Sequence, residues 1–300
     1  MQLQRGVDPT LVNQNAKHKL FVEGKDNQEI DPVVIKHLLE NNNLTAIGIE
    51  SMGGCDNVRS AAQALIHKHP SYYFLIDRDD QSQETVDKSW QSFPNPDEYN
   101  MLIWHKRELE NYFIDPEYIK ESIFLKPNTD IQQLVLNECN GRLFLDAANL
   151  TLLSISRELR KPLSIEHFRN QQEFKDQEAG LLKLKSLSQR IDERKVSMAA
   201  ILDEQSIDRI YQDFIEELSG GYIPLKYSFG SWLERMSGKE VFRVIANRCF
   251  LVPDLAGNIV QGKDQHKAIA KQLVGLSLER QPIDFQELVN LLKKKLNKTS

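Results

Sequence analysis

The chain has 300 residues, room for one large domain or two modest ones, with 40% apolar and 27% charged side chains and a net charge of −5; it can bury a core and is not compositionally disordered. No uncharged apolar run approaches the ~18 residues of a membrane span, and residues 1–8 lack the apolar stretch of a signal peptide, so a cytoplasmic protein without a membrane partner is expected. Three cysteines, Cys55, Cys139 and Cys249, lie far apart with no Cys-x-x-Cys pair, which excludes a disulfide framework and a cysteine-rich zinc site as organising features.

The first part of the chain alternates between two periods. Lys19–Glu23 is predicted as a short buried strand ending at Gly24, and Asp31-Pro32 as an N-cap followed by Pro at the first helical position. Val34, Ile35, Leu38 and Leu39 then form a helical stripe. Ala46–Ile49 is a second strand, closed by Gly53-Gly54, and Val58, Ala61, Ala62, Leu65 and Ile66 make the next helical face. Tyr72–Ile76 is apolar throughout, as expected of a strand covered on both faces. A helix over Thr85–Ser92 and a strand over Asn100–Trp104 follow. Strand–helix alternation with short loops predicts an α/β fold, a parallel sheet flanked by helices.

The pattern changes after Phe124. Residues 130–218 are mostly polar, charged helix, with Ile207, Ile210, Tyr211, Phe214, Ile215 and Leu218 at helical spacing before Gly220-Gly221. The expected division is a core over 1–125, a mostly α-helical insertion over 126–225 used for partner docking or dimerisation, and a basic segment over 226–300 that returns to the core. Residues 226–300 carry 13 Lys/Arg against 7 Asp/Glu, leaving 25 against 36 in residues 1–225. A lysine-rich last helix, opening at Asp284 with Glu287 as a capping box, accounts for this on counts alone; a phosphate-contacting surface beside an acidic site is the functional alternative.

Ligands of a parallel α/β sheet collect at the carboxyl ends of its strands, and the acids fall there. Glu23 ends the first strand, Asp77 and Asp79 follow the third, and Glu108 and Glu110 follow the fourth. In an extended segment residues i and i+2 face one side, so Asp77 and Asp79 are expected to aim at one point with Arg78 turned away. Carboxylates gathered in a small volume repel unless a hard cation neutralises them, and oxygen-only ligation suits Mg²⁺ or Mn²⁺. An Asp-x-Asp after a strand is equally often a turn or cap; Glu23, beside a glycine, has no such evident duty. No P-loop and no Gly-x-Ser-x-Gly elbow is present.

Together these residues resemble a family. Val22-Glu23-Gly24-Lys25-Asp26 and Asp77-Arg78-Asp79-Asp80 are similar to the two acidic motifs of the TOPRIM domain of topoisomerases, bacterial primases and OLD-family nucleases. The Gly53-Gly54 turn, Arg107-Glu-Leu-Glu-Asn-Tyr112 and Gly238-Lys239 resemble the OLD-like/DUF4435 branch; the likeness covers about residues 18–125 well and 226–250 loosely.

The resemblance implies a TOPRIM-type sheet and a Mg²⁺-dependent nuclease cleaving DNA or an RNA such as tRNA. It makes Glu23 a metal ligand or general acid/base and Asp77 and Asp79 metal ligands, with Glu110 and Glu108 completing the shell and Lys239 stabilising charge on the phosphoryl group. Many relatives carry an acid four residues beyond the Glu, where this chain has Asn27; with Asp26 and Asp80 as secondary candidates, a one-metal or weakly two-metal site follows. Stand-alone relatives resemble toxic effectors of bacterial anti-phage systems, the PARIS type among them, held silent by a separate ABC/AAA-type ATPase subunit; a homodimer is the other partnership open to it. The rival expectation is a catalytically weak metal-binding sensor subunit.

Overall fold

The computed structural model describes residues 18–26, 28–65, 69–95, 100–160 and 176–299. Strands β1 (His18–Val22), β2 (Ile47–Ser51), β3 (Tyr72–Ile76) and β4 (Met101–Ile103) form an all-parallel sheet in the order β2-β1-β3-β4. Leu20 stands opposite Ile49 on one side and Tyr73 on the other. Helices α1 (Ile30–Asn41), α2 (Cys55–Leu65) and α3 (Gln83–Ser92) make the crossovers. β3 occupies the span predicted for it. β2 runs past the predicted Ile49 to Ser51, because Phe21 and Val22 of β1 pair with Glu50 and Ser51; neighbouring backbone overrides a locally polar sequence. Asn100 drops out of β4: it takes a left-handed φ of 45°, and its amide donates to the carbonyls of Pro70 and Tyr72.

Side-chain alternation splits the core into two layers. Leu20, Val22, Tyr73, Leu75 and Leu102 face one layer with Val34, Ile35, Leu38 and Leu39 of α1. Phe21, Phe74, Ile76 and Ile103 face the other, against Val58, Ala61, Ala62 and Leu65 of α2 and Val86 of α3. Each fully buried Val, Leu, Ile or Phe contributes about 1.5–3 kcal/mol, which is why both helix stripes are fixed on the sheet.

Two predicted starts shift. Helix α1 has Glu29 at its N-cap, so Asp31 lies in the first turn and is not the cap. The last helix, which is α11 (Ile283–Thr299), likewise carries Asp284 inside its first turn; there Asp284 is occupied by Tyr112, whose hydroxyl donates to it, and by His105 Nδ1 at 3.0 Å.

Beyond the sheet come the short α4 (Pro116–Ile119), the long α5 (Ile131–Arg160), then α6 (Gln177–Ile201) and α7 (Glu204–Ser219). The chain continues through α8 (Trp232–Arg235), α9 (Gly238–Cys249), a two-stranded antiparallel ribbon of β5 (Val252–Pro253) and β6 (Ile259–Val260), and α10 (Gly262–Val274). α10 packs on α1, where the Asn41 amide donates to the Val274 carbonyl at 3.2 Å. Phe285 of α11 lies against Trp104 and Tyr112, with ring centroids 5.5 and 4.9 Å away. No helix among the described residues is long and apolar enough to cross a membrane.

Candidate functional site

The order β2-β1-β3-β4 places its switch point between β1 and β3, whose connections leave in opposite directions; a crevice opens there at the carboxyl edge. Glu23 and Asp77 stand at those two strand ends. Gly24 and Gly53, after β1 and β2, bridge one another, and their φ values of 118° and 81° are ones that glycine alone adopts without strain. That bridge fixes the chain after Glu23, and the Met52 N–H, donating to the Val22 carbonyl, fixes it before. The Asp77 backbone N–H donates to Glu23 Oε1 at 2.9 Å, and the Leu109 N–H to Asp77 Oδ1 at 3.1 Å.

Two further carboxylates close on this point. Glu110 sits on a 3-10 turn, Leu109–Tyr112, and is buried; its Oε2 has no hydrogen-bond partner among the described residues. Asp31, freed from the cap, is the same: its Oδ1 is closed off from water and unpartnered. Sequence reasoning missed Asp31, because an Asp-Pro pair ahead of an apolar stripe matches a helix start so well. The signal that could have found it is its place, close after Glu23 and at the strand's carboxyl end.

Lys239 is the cation at this site. It occupies the first turn of α9, where the helix dipole disfavours positive charge, so something else must hold it. Its Nζ lies 3.7 Å from Asp77 Oδ2. Burial lowers its pKa, but Glu110, Asp77, Asp31 and Glu108 more than reverse that, leaving it raised. The acids shift upward. Burial, then the charges of Asp79 and Asp31, push Glu23 to about 7 against the Asp77 N–H bond and Lys239, which pull it down. Burial raises Asp31 to about 6, with Lys239 opposing. Asp77 and Glu110 rise well above the carboxylate range, by burial first and then by neighbouring acids.

Glu108 does other work. Its Oε2 accepts from the Lys239 backbone N–H at 2.8 Å and the Ser237 hydroxyl at 3.3 Å, and it forms a capping box with Asn111. It positions Lys239 by capping α9 through Oε2. Asp77 and Asp79 do not share one side as an extended pair would. The strand stops at Ile76, Asp79 takes a φ of 47°, and a turn follows in which the Gln81 N–H donates to the Arg78 carbonyl. Asp79 therefore lines a separate cleft with Asp80, although its charge still reaches Glu23. Burial raises Asp79, while Arg107 lowers it. Arg78 does turn away, donating to the His105 and Gln81 carbonyls. Asp80 pairs with Arg157 at 3.3 Å. Asp26 is spent on a turn, accepting from the Gln28 N–H at 2.7 Å. Asn27 lies outside the described residues.

Glu23, Asp31, Glu110 and Lys239 line a cleft of about 640 Å³, rimmed by Arg243, Lys263 and Lys267. His266, also in its wall, is held neutral by burial and by Arg243; its Nε2 has no partner among the described residues. Two inaccessible carboxylate oxygens without hydrogen-bond donors, beside carboxyls raised by mutual repulsion, fit a hard cation. As the side chains stand, no three His, Cys, Asp or Glu among the described residues converge closely enough to hold one; Lys239 supplies the positive charge instead.

Fold and cleft together define a parallel α/β protein with a carboxylate-lined crevice at its switch point. Comparison with protein-family models, with curated proteins and with solved structures gave no match.

Proposed function

We propose that the protein is a Mg²⁺-dependent nuclease with a TOPRIM-type core, Mn²⁺ serving as an alternative metal. The observation that carries this reading is the pair of buried, unpartnered carboxylate oxygens of Asp31 and Glu110 beside Lys239, at the mouth of the sheet. Glu23, Asp31, Asp77 and Glu110 would hold the ion, with Asp79 approaching from the adjoining cleft. When bound, a hard divalent cation would neutralise phosphoryl oxygens and acidify water.

The chain's own residues do the rest. Glu23 takes the proton of the water that attacks phosphorus, the bond to the leaving sugar oxygen breaks, and that oxygen takes up a proton from solvent. Lys239 places its ammonium on charge that develops on the phosphoryl oxygens. Metal and lysine read phosphate, so sequence selectivity would have to come from elsewhere. The resemblance makes a separate ABC/AAA-type ATPase subunit the controlling partner of a toxic effector in anti-phage defence. The surface for it would be the α5–α7 arm, where Leu181, Leu182 and Val196 of α6 are exposed.

The second reading, a metal-binding sensor that does not cut, rests on Asn27, which stands where many relatives carry an acid. Cleavage of plasmid, single-stranded DNA and total tRNA with Mg²⁺, Mn²⁺ or EDTA, beside Glu23→Ala, separates the two. Metal-dependent cutting lost in Glu23→Ala is the expected result. Cutting that survives the substitution removes Glu23 from the mechanism. Metal binding without cutting, by both proteins and with the ATPase present, establishes the sensor.

A further inference from the structure

The turn after β3 is fastened from outside the sheet. The Asp79 N–H donates to the Arg107 carbonyl at 3.1 Å, and the Asp79 carbonyl accepts from Arg235 Nη1 at 3.0 Å. Arg157 of α5 holds the next residue, through the carbonyl and the carboxylate of Asp80. Arg235 is buried, and its Nε donates to Glu217 Oε1 of α7 at 3.1 Å. The short α8 that carries Arg235 is itself pinned on both sides. The Ser231 N–H donates to the Glu217 carbonyl, and the Arg107 N–H to the Glu234 carbonyl. A continuous path of hydrogen bonds thus runs from α7, through Arg235, to the backbone of Asp79.

The conformation held in this way is not the one Asp79 adopts at least cost. Its φ of 47° lies in the left-handed region, where the Cβ crowds the following carbonyl. It also aims the carboxylate into a second cleft, of about 600 Å³, between the first turn of α2 and the end of α5. An extended residue two places after Asp77 would face the same side as Asp77. That is the side of the acid cleft, where Asp77 Oδ2 meets Lys239. The gap is short, since the Asp79 charge is already felt at Glu23. The turn itself is closed by the Gln81 N–H on the Arg78 carbonyl, and the further link to α7 has no part in that closure. Arginine suits a holding role, because its guanidinium is charged at every working pH and bridges a carboxylate and a carbonyl at once in a fixed fork.

We infer that Arg235 is a positioning residue for the proposed metal site. Anchored on Glu217, it keeps Asp79 in the left-handed form with its carboxylate outside the acid cleft. When the anchor yields, Asp79 extends and joins Glu23 and Asp77 on the cation. The inference rests on the metal-dependent reading above and adds how the site is governed: the position of α7, in the helical insertion, sets whether the acid cleft is complete.

The test is Mn²⁺ binding to the full chain at one neutral pH, read by electron paramagnetic resonance. Wild type is compared with Glu217→Ala, Arg235→Gln and each of these combined with Asp79→Asn. Glu217→Ala removes a half-exposed acid, so charge alone predicts weaker cation binding. Release of Asp79 predicts the opposite, binding about tenfold tighter, because the ion no longer has to draw Asp79 from its clamp. Arg235→Gln should tighten binding likewise. In both variants water-proton relaxation should show fewer waters left on the bound Mn²⁺, a carboxylate having taken the place of one. With Asp79→Asn in place neither change should gain anything, the signature of an effect that acts through Asp79. Arg235 is buried, and if its variant fails to fold, the surface change Glu217→Ala decides alone. A Glu217→Ala affinity at or below that of wild type, or a gain that persists with Asp79→Asn, overturns the inference and leaves the metal site standing. Absence of Mn²⁺ binding in the wild type and in every variant overturns the metal-dependent reading, and the inference with it.

Discussion

Asp31 is a carboxylate that folding would be better without. Burial lifts its carboxyl to about 6, and Lys239 offsets only part of that. The sign follows from linkage: a group that binds its proton more tightly folded than unfolded weakens the fold once it ionises. The penalty is absent below the ordinary 3.8, grows with pH and is complete above about 6. Asp31→Asn should therefore stabilise the metal-free protein near pH 8 by about 1–2 kcal/mol, discounted from the shift because the residue is part-exposed. The gain should vanish as pH falls below 4. Urea unfolding in EDTA at the two pH values reads this directly, and a variant no more stable than wild type at pH 8 would remove Asp31 from the charge cluster. On the proposed function the same substitution should also reduce the rise in unfolding temperature expected from Mg²⁺. A carboxylate that costs stability when ionised is what the proposed metal site would require.

At the scale of elements, the pair Gly238-Lys239 has a steric reason. A Cβ on Gly238 would stand 2.5 Å from the backbone nitrogen and the side-chain oxygen of Asn111. Asn111 cannot retreat, because its amide donates to the Leu233 and Met236 carbonyls. The glycine thus lets α9 press its first turn onto the turn that carries Glu108 and Glu110. Gly238→Ala should cost about 1–3 kcal/mol by overpacking and, by pushing α9 outward, should weaken Mg²⁺ binding as well; thermal unfolding with and without Mg²⁺ separates the two effects, and a fully native response would refute the contact. The α11 fastening is testable in the same way. His105 is raised chiefly by its hydrogen bond to Asp284, with burial opposing. Its stabilisation is whole below the ordinary 6.5 and fades as pH climbs through the raised value. Asp284→Asn should destabilise by about 2–3 kcal/mol near pH 6, where charged hydrogen bonds are lost, and by less near pH 9, where only the Tyr112 bond remains; a cost independent of pH would sink this account. The strands could be read from the sequence because Tyr72–Ile76 and Lys19–Val22 are buried on both faces, so their apolar runs are unbroken. The caps could not. Asp31 and Asp284 carry the residue type of a helix start, and only the packing of Glu23, Tyr112 and His105 around them reveals what each carboxylate faces.

Over the whole molecule, charge and pH stability have one origin. The excess of basic residues after position 225 cannot be assigned from counts, since a lysine-rich last helix explains it equally well. In three dimensions α9 and α10 carry Lys239, Arg243, Lys263 and Lys267 to the cleft whose floor is Glu23, Asp31 and Glu110. The basic quarter of the chain closes over the acidic sheet edge. Lysines cannot satisfy all of those carboxyls, and the acids remain raised. His105 is raised as well. Each of these groups holds its proton more firmly folded than unfolded, so stability of the metal-free protein must fall as pH rises from about 5 to 8. On the proposed function a divalent cation would bind the ionised set and compete with those protons, and its stabilisation would grow with pH for the same reason. Differential scanning calorimetry should accordingly show an unfolding temperature lower at pH 8 than at pH 5.5 in EDTA, with the difference largely abolished by millimolar Mg²⁺. Glu23→Gln should flatten the EDTA profile above pH 6 and shrink the Mg²⁺ shift together, because one carboxyl carries part of both. A metal-free profile that is flat or rises over this range would mean that the raised carboxyls are relieved by other means. A Mg²⁺ shift equal at both pH values would mean that the ion binds somewhere other than this cleft.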